Sequence, residues 1–142
     1  MSFNFTFTKK VFNTIRLTYK PNSMWDYSKL DDYNNVGNEV TYNTFRLDQD
    51  LTLGFSPVKL WDLKIDAKHS FSHQDNSSVD YFFCDMNIRH SFKKSGIDLS
   101  LDLNNIFNVK DYKLYSILNN QVIVNQYNLR GRIALLRLDW YF

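Results

Sequence analysis

Few side chains in this 142-residue sequence could bind a metal ion, and the best candidates are His69, His73, His90 and Cys84. His69 and His73 are four residues apart, a spacing that places two ligands on one face of a helix. Here the spacing falls across a predicted strand end and loop. We therefore expect histidines at the surface or rim of a sheet, and we predict no metal site.

Acidic residues offer two further candidates. Asp31–Asp32 and Asn34–Asn35 could supply oxygen atoms to calcium, but they lack the acidic spacing and the closing glutamate of an EF-hand, so a polar external loop is predicted. Asp48 and Asp50 share a strand face, where we predict charges balanced by arginine or lysine. No phosphate-binding glycine loop or Gly-x-Ser-x-Gly elbow occurs. We predict neither an enzyme nor a bound cofactor.

The composition excludes several classes of protein. The net charge is only +2 and the basic residues are scattered among aspartates, so no basic patch for nucleic acid is expected. A content of 44% hydrophobic and 17% aromatic residues is too apolar for a disordered chain. No stretch of about 18 apolar residues occurs, which excludes a membrane-spanning helix but leaves spanning β-strands open.

Apolar and polar residues alternate along most of the chain, which is the pattern of a β-strand with two unlike faces. The clearest example is the segment 61–71, where Leu63 and Ile65 alternate with Asp62, Lys64 and Asp66. Comparable alternation occurs at about 2–8, 14–20, 40–55, 79–92, 97–104 and 127–142. The sequence therefore predicts an all-β, antiparallel fold of about seven strands.

Three features favour a membrane barrel wall over a soluble sheet. The predicted strands between residues 40 and 71 have about 12 to 16 residues, whereas strands of globular proteins have about 5 or 6. The connections alternate between short and long, as periplasmic turns and external loops do. Aromatic residues gather near strand ends, as interfacial girdles require. We predict an antiparallel transmembrane β-barrel wall, with a soluble antiparallel β binding module as the alternative.

The last strand carries a further pattern. The alternating positions on one of its faces are Ala134, Leu136, Leu138, Trp140 and Phe142. A final aromatic residue, another two positions before it and alternating apolar residues upstream resemble the C-terminal signal that the barrel-assembly machinery recognises in outer-membrane proteins. Such recognition works by strand addition, in which alternate side chains enter pockets. These five residues are the predicted assembly signal.

Two segments near the end of the sequence resemble a known family. Residues 99–108, followed by Tyr112, resemble the penultimate strand of TonB-dependent receptors, where an Asn-Leu-Phe-Asn-like stretch commonly precedes a tyrosine. Residues 127–142 are similar to the last strand of SusC-like and related outer-membrane barrels. The resemblance covers about the last 45 residues. Its motif residues are Asn105, Ile106, Phe107, Asn108, Leu129, Arg130 and Arg132.

This resemblance implies a barrel of about 22 strands around an N-terminal plug, in the outer membrane of a Gram-negative bacterium. Such a barrel imports siderophores, glycans or peptides with energy from TonB, and a SusD-like surface lipoprotein is a possible partner of SusC-like members. About seven strands are too few to close, because single-chain barrels begin at about eight. We therefore expect residues 1–142 to be the C-terminal part of a larger barrel, without its plug and inactive in transport alone. A barrel shared among several chains is the alternative.

Overall fold

The computed structural model describes residues 1–31, 39–74, 77–118 and 121–142. In these ranges the chain forms β-strands and no helix, which confirms the all-β prediction. The strands are β1 (Ser2–Asn4), β2 (Phe7–Val11), β3 (Ile15–Asp31), β4 (Glu39–Val58), β5 (Trp61–Gln74), β6 (Ser77–Phe92), β7 (Ile97–Asn104), β8 (Asp111–Leu118), β9 (Gln121–Asn128) and β10 (Ile133–Trp140). The described residues contain no helix long and apolar enough to cross a membrane.

Most strands belong to one antiparallel sheet, in the order β1, β3, β4, β5, β6, β7 and β10, with β2 also paired to β3. Asn4 lies opposite Asn22 and Phe7 lies opposite Tyr19, so β1 and β2 keep one register along β3. They are two halves of a single edge strand. The sheet therefore has seven strand positions and does not close, as predicted for an incomplete barrel.

The strand register places apolar residues beside apolar residues on one side of the sheet, which we call the apolar face. One row across six strands consists of Leu17, Leu53, Ile65, Met86, Leu103 and Ala134. The next row consists of Ile15, Phe55, Leu63, Ile88, Leu101 and Leu136. Because side chains alternate between the two sides of a strand, the residues between these positions form a second face, the polar face.

The chain differs from the sequence-based expectation in its longer connections. The predicted loop at 21–39 is shortened, because β3 continues to Asp31 and β4 begins at Glu39. The predicted loop near 72–78 is shortened in the same way by β5 and β6. Backbone hydrogen bonds between strands do not depend on side-chain polarity, so the ladders continue after the apolar alternation has ended.

The segment between β7 and β10 also differs from its prediction. The sequence predicts a long loop from about residue 108 to about residue 126, followed by the last strand. Instead, β8 and β9 pair with each other as a separate two-stranded ribbon, the β8–β9 hairpin, and β10 begins only at Ile133. This hairpin leaves the sheet, since it shares no strand pairing with it.

Burial is inverted relative to a water-soluble sheet. Among the residues whose side chains the structure describes, no hydrophobic residue is buried. The buried side chains are polar: Ser70 and Ser100 are 4% and 2% exposed, and Gln74 and Asp98 are also buried. The described part of the molecule therefore has no apolar core.

Candidate functional site

Hydrogen bonds and ion pairs link neighbouring strands across the polar face. The Ser70 hydroxyl donates to Asp48 Oδ1 at 2.7 Å, and Arg46 Nε donates to Asp48 Oδ2 at 2.8 Å. Near the opposite end of the face, Arg89 forms an ion pair with Asp98. Asp48 is thus balanced by an arginine, as predicted from the sequence.

Asp50 behaves differently from Asp48. It lies between Lys20 of β3 and Lys68 of β5 in the strand register, but it forms no ion pair with any described residue. Phe83 of β6 follows Lys68 in the same row. The row therefore consists of two lysines, one aspartate and one phenylalanine, and all four residues line a cavity.

The polar face encloses part of an open cavity of about 650 Å³. Lys20, Asp50, Lys68 and Phe83 line it from the sheet, and Arg130 lines it from the connection between β9 and β10. A volume of this size is typical of pockets that hold small molecules. This cavity is the candidate functional site.

Two other carboxylates line the cavity and already have partners. Asp66 accepts a hydrogen bond from the Thr52 hydroxyl at 2.7 Å and forms an ion pair of 2.7 Å with Lys64. Asp85 Oδ1 accepts the backbone N–H of Asn105 at 2.7 Å. Of the six charged residues that line the cavity, Lys20, Lys68, Arg130 and Asp50 have no such partner among the described residues.

The two motif segments identified in the sequence meet at the rim of this cavity. Asn105 directly follows β7 and has a φ of 53°, in the left-handed region that asparagine adopts more readily than most residues. Its Nδ2 donates to the carbonyl oxygens of Val109 at 2.8 Å and Arg130 at 2.9 Å, and its Oδ1 accepts the Val109 N–H at 2.9 Å. One side chain thus ties the end of β7 to the start of β10.

Asn108 and Arg132 make a second connection between the same segments. Asn108 has a φ of 58°, and its Oδ1 accepts the Arg132 N–H at 3.1 Å. Arg132 Nε donates to the Ile106 carbonyl at 2.9 Å. A β-carbon on Gly131 would lie 2.8 Å from Asn108 Oδ1, so a larger residue at this position would displace the Asn108 side chain.

The remaining motif residues have different surroundings. Leu129 lines the cavity, and its N–H donates to the Lys110 carbonyl at 2.7 Å. Phe107 is exposed and packs edge-on against Phe82 with ring centres 5.2 Å apart. The motif residues therefore form a structural joint between β7 and β10, and three of them, Asn105, Leu129 and Arg130, also line the cavity.

An aromatic cluster holds the β8–β9 hairpin against the polar side of β6. The ring of Tyr112 lies 4.9 Å from that of Tyr81 and 5.8 Å from that of Phe83. The backbone N–H of Lys113 donates to the Tyr81 hydroxyl at 2.9 Å. Tyr81 is one of the aromatic residues near strand ends that the sequence predicts to form an interfacial girdle, but it lies on the same side of β6 as Asp85, on the polar face. The alternation in the sequence already places Tyr81 on the side of Asp85, where it can contact the hairpin.

The metal-type side chains lie apart from the cavity. His69 contacts Asp80 Oδ1 at 2.7 Å, and His90 packs on Trp61 with ring centres 4.3 Å apart. The described residues include no group of three histidine, cysteine or acidic side chains that could hold a metal ion. Asp31 ends β3, whereas Asp32 and the neighbouring asparagines of the calcium candidate lie outside the described residues.

The predicted assembly-signal residues of β10 share the apolar face. Ala134, Leu136 and Leu138 lie opposite apolar residues of β7, as does Trp140, and Trp140 packs edge-on against Phe142. Leu136, Leu138 and Trp140 are 72%, 61% and 64% exposed. The placement on one face agrees with the alternation, and the role in assembly stays a prediction.

Comparisons of the chain with family models, with curated proteins and with solved structures found no match. The fold and the cavity therefore stand on the strand register and the side-chain contacts alone. The resemblance to TonB-dependent receptors rests on the motif residues of the last two strands of the sheet.

Proposed function

We propose that this chain is part of the wall of an outer-membrane β-barrel transporter of the TonB-dependent type. The observation that carries the proposal is the inverted burial: Ser70 and Ser100 are buried, whereas every described hydrophobic residue is at least partly exposed. Burying a large apolar side chain stabilises a soluble protein by about 1.5–3 kcal/mol. Apolar side chains of this sheet such as Leu53 and Ile65 are only partly buried, so they need a further apolar environment to gain this contribution in full, and lipid hydrocarbon supplies it.

The extent of the apolar face supports lipid over a small binding partner. Each of the two apolar rows crosses six strands, and with about 4.8 Å between strands each row is roughly 24 Å wide. A continuous apolar surface of this width exceeds the patches that soluble monomers usually expose. The opposite face carries the charges and hydrogen bonds that suit a water-filled lumen.

The two edges of the sheet indicate what completes the barrel. Successive strands are antiparallel, so the first and seventh positions, β1 with β2 and β10, run in the same direction. Copies related by rotation about the barrel axis would therefore place these edges side by side in parallel. Antiparallel closure requires an odd number of strands from elsewhere, which favours the remainder of a larger barrel over a ring of identical chains.

The joint formed by Asn105, Asn108 and Arg132 supports the choice of transporter class, because these residues carry the resemblance to TonB-dependent receptors. In this proposal the barrel imports a large nutrient such as a siderophore, glycan or peptide. The other partners are outer-membrane lipid, the barrel-assembly machinery, the plug and, for a SusC-like member, a SusD-like lipoprotein. Seven strand positions enclose no channel, so the segment transports nothing alone.

Membrane fractionation of the source bacterium tests the location. We expect an antibody against this chain to detect it in the outer-membrane fraction of a density gradient, resistant to extraction with alkaline carbonate. Recovery in the soluble fraction would contradict the proposal and favour the soluble binding module.

A genetic comparison tests the transporter class separately. Deletion of the gene and deletion of TonB should abolish growth on the same nutrient when a panel of glycans, peptides and iron complexes is supplied. If the chain is found in the outer membrane but the two deletions share no growth defect, the proposal of a barrel wall would stand and TonB-dependent import would be refuted.

A further inference from the structure

We infer that the cavity on the polar face binds a small organic anion carrying two or more carboxylate or phosphate groups. The inference deepens the proposed function by naming a ligand class, and it rests on that function only for the biological role of the ligand. The binding chemistry itself depends on Lys20, Lys68 and Arg130, which line the same cavity.

The first argument is that, of the three cations and three carboxylates that line the cavity, more cations than carboxylates lack a partner within the protein. Asp66 and Asp85 already accept hydrogen bonds within the protein, and Asp66 is also paired with Lys64. Lys20, Lys68 and Arg130 form no side-chain hydrogen bond or ion pair with any described residue. Three unpartnered cations among the described residues thus line the cavity with one unpartnered anion, Asp50.

The second argument is the spacing of the cations. Lys20 and Lys68 lie on either side of Asp50 in one row, two strand spacings apart, so their backbones are separated by about 10 Å. Arg130 reaches the cavity from the connection before β10, which the Asn105 side chain holds through the Arg130 carbonyl. Cations on three separate segments suit a ligand with more than one anionic group, and the arginine can bind a carboxylate or phosphate through two hydrogen bonds.

The third argument is the apolar surface beside these charges. Phe83 occupies the next position of the same row, and Leu129 and Ile133 also line the cavity. A free inorganic ion would leave this surface without a partner, whereas the carbon skeleton of an organic anion would cover it. The volume of about 650 Å³ accommodates such a molecule.

Binding to the 142-residue chain in neutral detergent micelles at low ionic strength tests the inference. The probes are citrate for carboxylates, fructose 1,6-bisphosphate for phosphates and maltotriose as a neutral ligand. We expect saturable binding of at least one anion by isothermal titration calorimetry, weakened by added salt, and the preferred anion identifies the group. Binding of maltotriose alone, or of none of the three, would overturn the inference.

Three single variants locate the site. Lys68→Gln and Arg130→Gln should each weaken binding of the anion about threefold, because each removes one unit charge within several ångströms of it. Asp50→Asn should strengthen binding about threefold for the same reason. A gain of affinity cannot arise from misfolding, so this variant keeps the test decisive if the other two are unstable.

Lys94→Gln is the matched control, because Lys94 is an exposed lysine in the turn between β6 and β7 and does not line the cavity. It should leave the dissociation constant unchanged. An equal effect of Lys94→Gln and Lys68→Gln would show general attraction to a cationic surface and overturn the site. If the chain binds the anion but is found in the soluble fraction, the anion site would stand and the membrane proposal would be refuted. A failure of the site can therefore be distinguished from a failure of the proposed function.

Discussion

The two faces of the seven-position sheet are made by the same strands but are stabilised in different ways. On the apolar face, rows of side chains such as Leu53 and Ile65 lie beside their neighbours across strands, yet none is buried. On the polar face, side chains such as Ser70 and Asp48 are joined by hydrogen bonds, and several are covered. The difference shows that polar pairs link the strands on one face, whereas the side chains of the other face contact their apolar neighbours and stay partly exposed to the surrounding medium.

The largest expected difference between the two faces is in the free energy of unfolding after a charged residue is placed on each of them. Leu53→Arg puts a charge on the apolar face and should destabilise the chain by about 2–4 kcal/mol if hydrocarbon covers that face. Thr52→Arg puts the same side chain one position away, on the polar face beside Asp66, and should cost less than about 1 kcal/mol if water covers that face.

Urea unfolding in phospholipid bicelles, followed by tryptophan fluorescence, measures both variants. Bicelles are suitable because their detergent-like rims can cover open sheet edges. Equal destabilisation by Leu53→Arg and Thr52→Arg would show that the two faces meet the same solvent, which would contradict a lipid-covered apolar face.

Asn105 tests how much polar contacts contribute to the stability of the sheet, because its side chain joins β7 to the connection before β10 through hydrogen bonds. Asn105→Ala removes its bonds to Val109 and Arg130 and leaves alanine in a left-handed conformation, for a loss of about 2 kcal/mol. Asn105→Gly also removes the side-chain bonds but tolerates the positive φ, so it should be about 1 kcal/mol less damaging than alanine.

The same urea titration ranks the two Asn105 variants. A loss that is equal for alanine and glycine would assign the whole effect to the side-chain hydrogen bonds. No loss with either variant would mean that the joint between β7 and β10 does not stabilise the sheet.

The smallest expected effect concerns the β8–β9 hairpin on the polar face. Tyr81→Phe keeps the ring contact with Tyr112 but removes the acceptor of the Lys113 N–H, so amide exchange at Lys113 should accelerate about fivefold, for about 1 kcal/mol. Hydrogen–deuterium exchange measured by NMR reports this directly. Tyr127→Phe, which keeps its ring pair with Tyr112, is the control and should leave Lys113 unchanged. Unaltered exchange in Tyr81→Phe would show that the hairpin does not dock through this bond.

The sequence predicted the sheet well because its signal is local. Alternation around Leu63 and Ile65 identified the strand, and the same period identified the other strand positions and the two faces. The β8–β9 hairpin was missed because Val122, Ile123 and Val124 are consecutive apolar residues, which show no alternation. A period of two is the main local sign of a strand with unlike faces.

The joint and the cavity were predictable only in part. The motif residues Asn105 and Arg130 were identified by resemblance, but nothing in the sequence showed that Asn105 bonds to the Arg130 carbonyl. The cavity brings Lys20 and Arg130 together from opposite ends of the chain. Such proximity depends on the order and curvature of the strands, which side-chain patterns along a single strand do not encode.

Spin labels on adjacent residues test most directly whether lipid covers the apolar face. In a Cys84→Ser background, cysteines at Ile65 and Leu101 place labels on the apolar face, and cysteines at Asp66 and Asp102 place labels on the polar face. In phospholipid bicelles, the first pair should collide mainly with dissolved oxygen, and the second pair mainly with a water-soluble nickel chelate. Labels at Ile65 and Leu101 that are shielded from both reagents would reveal a protein core and contradict the membrane assignment.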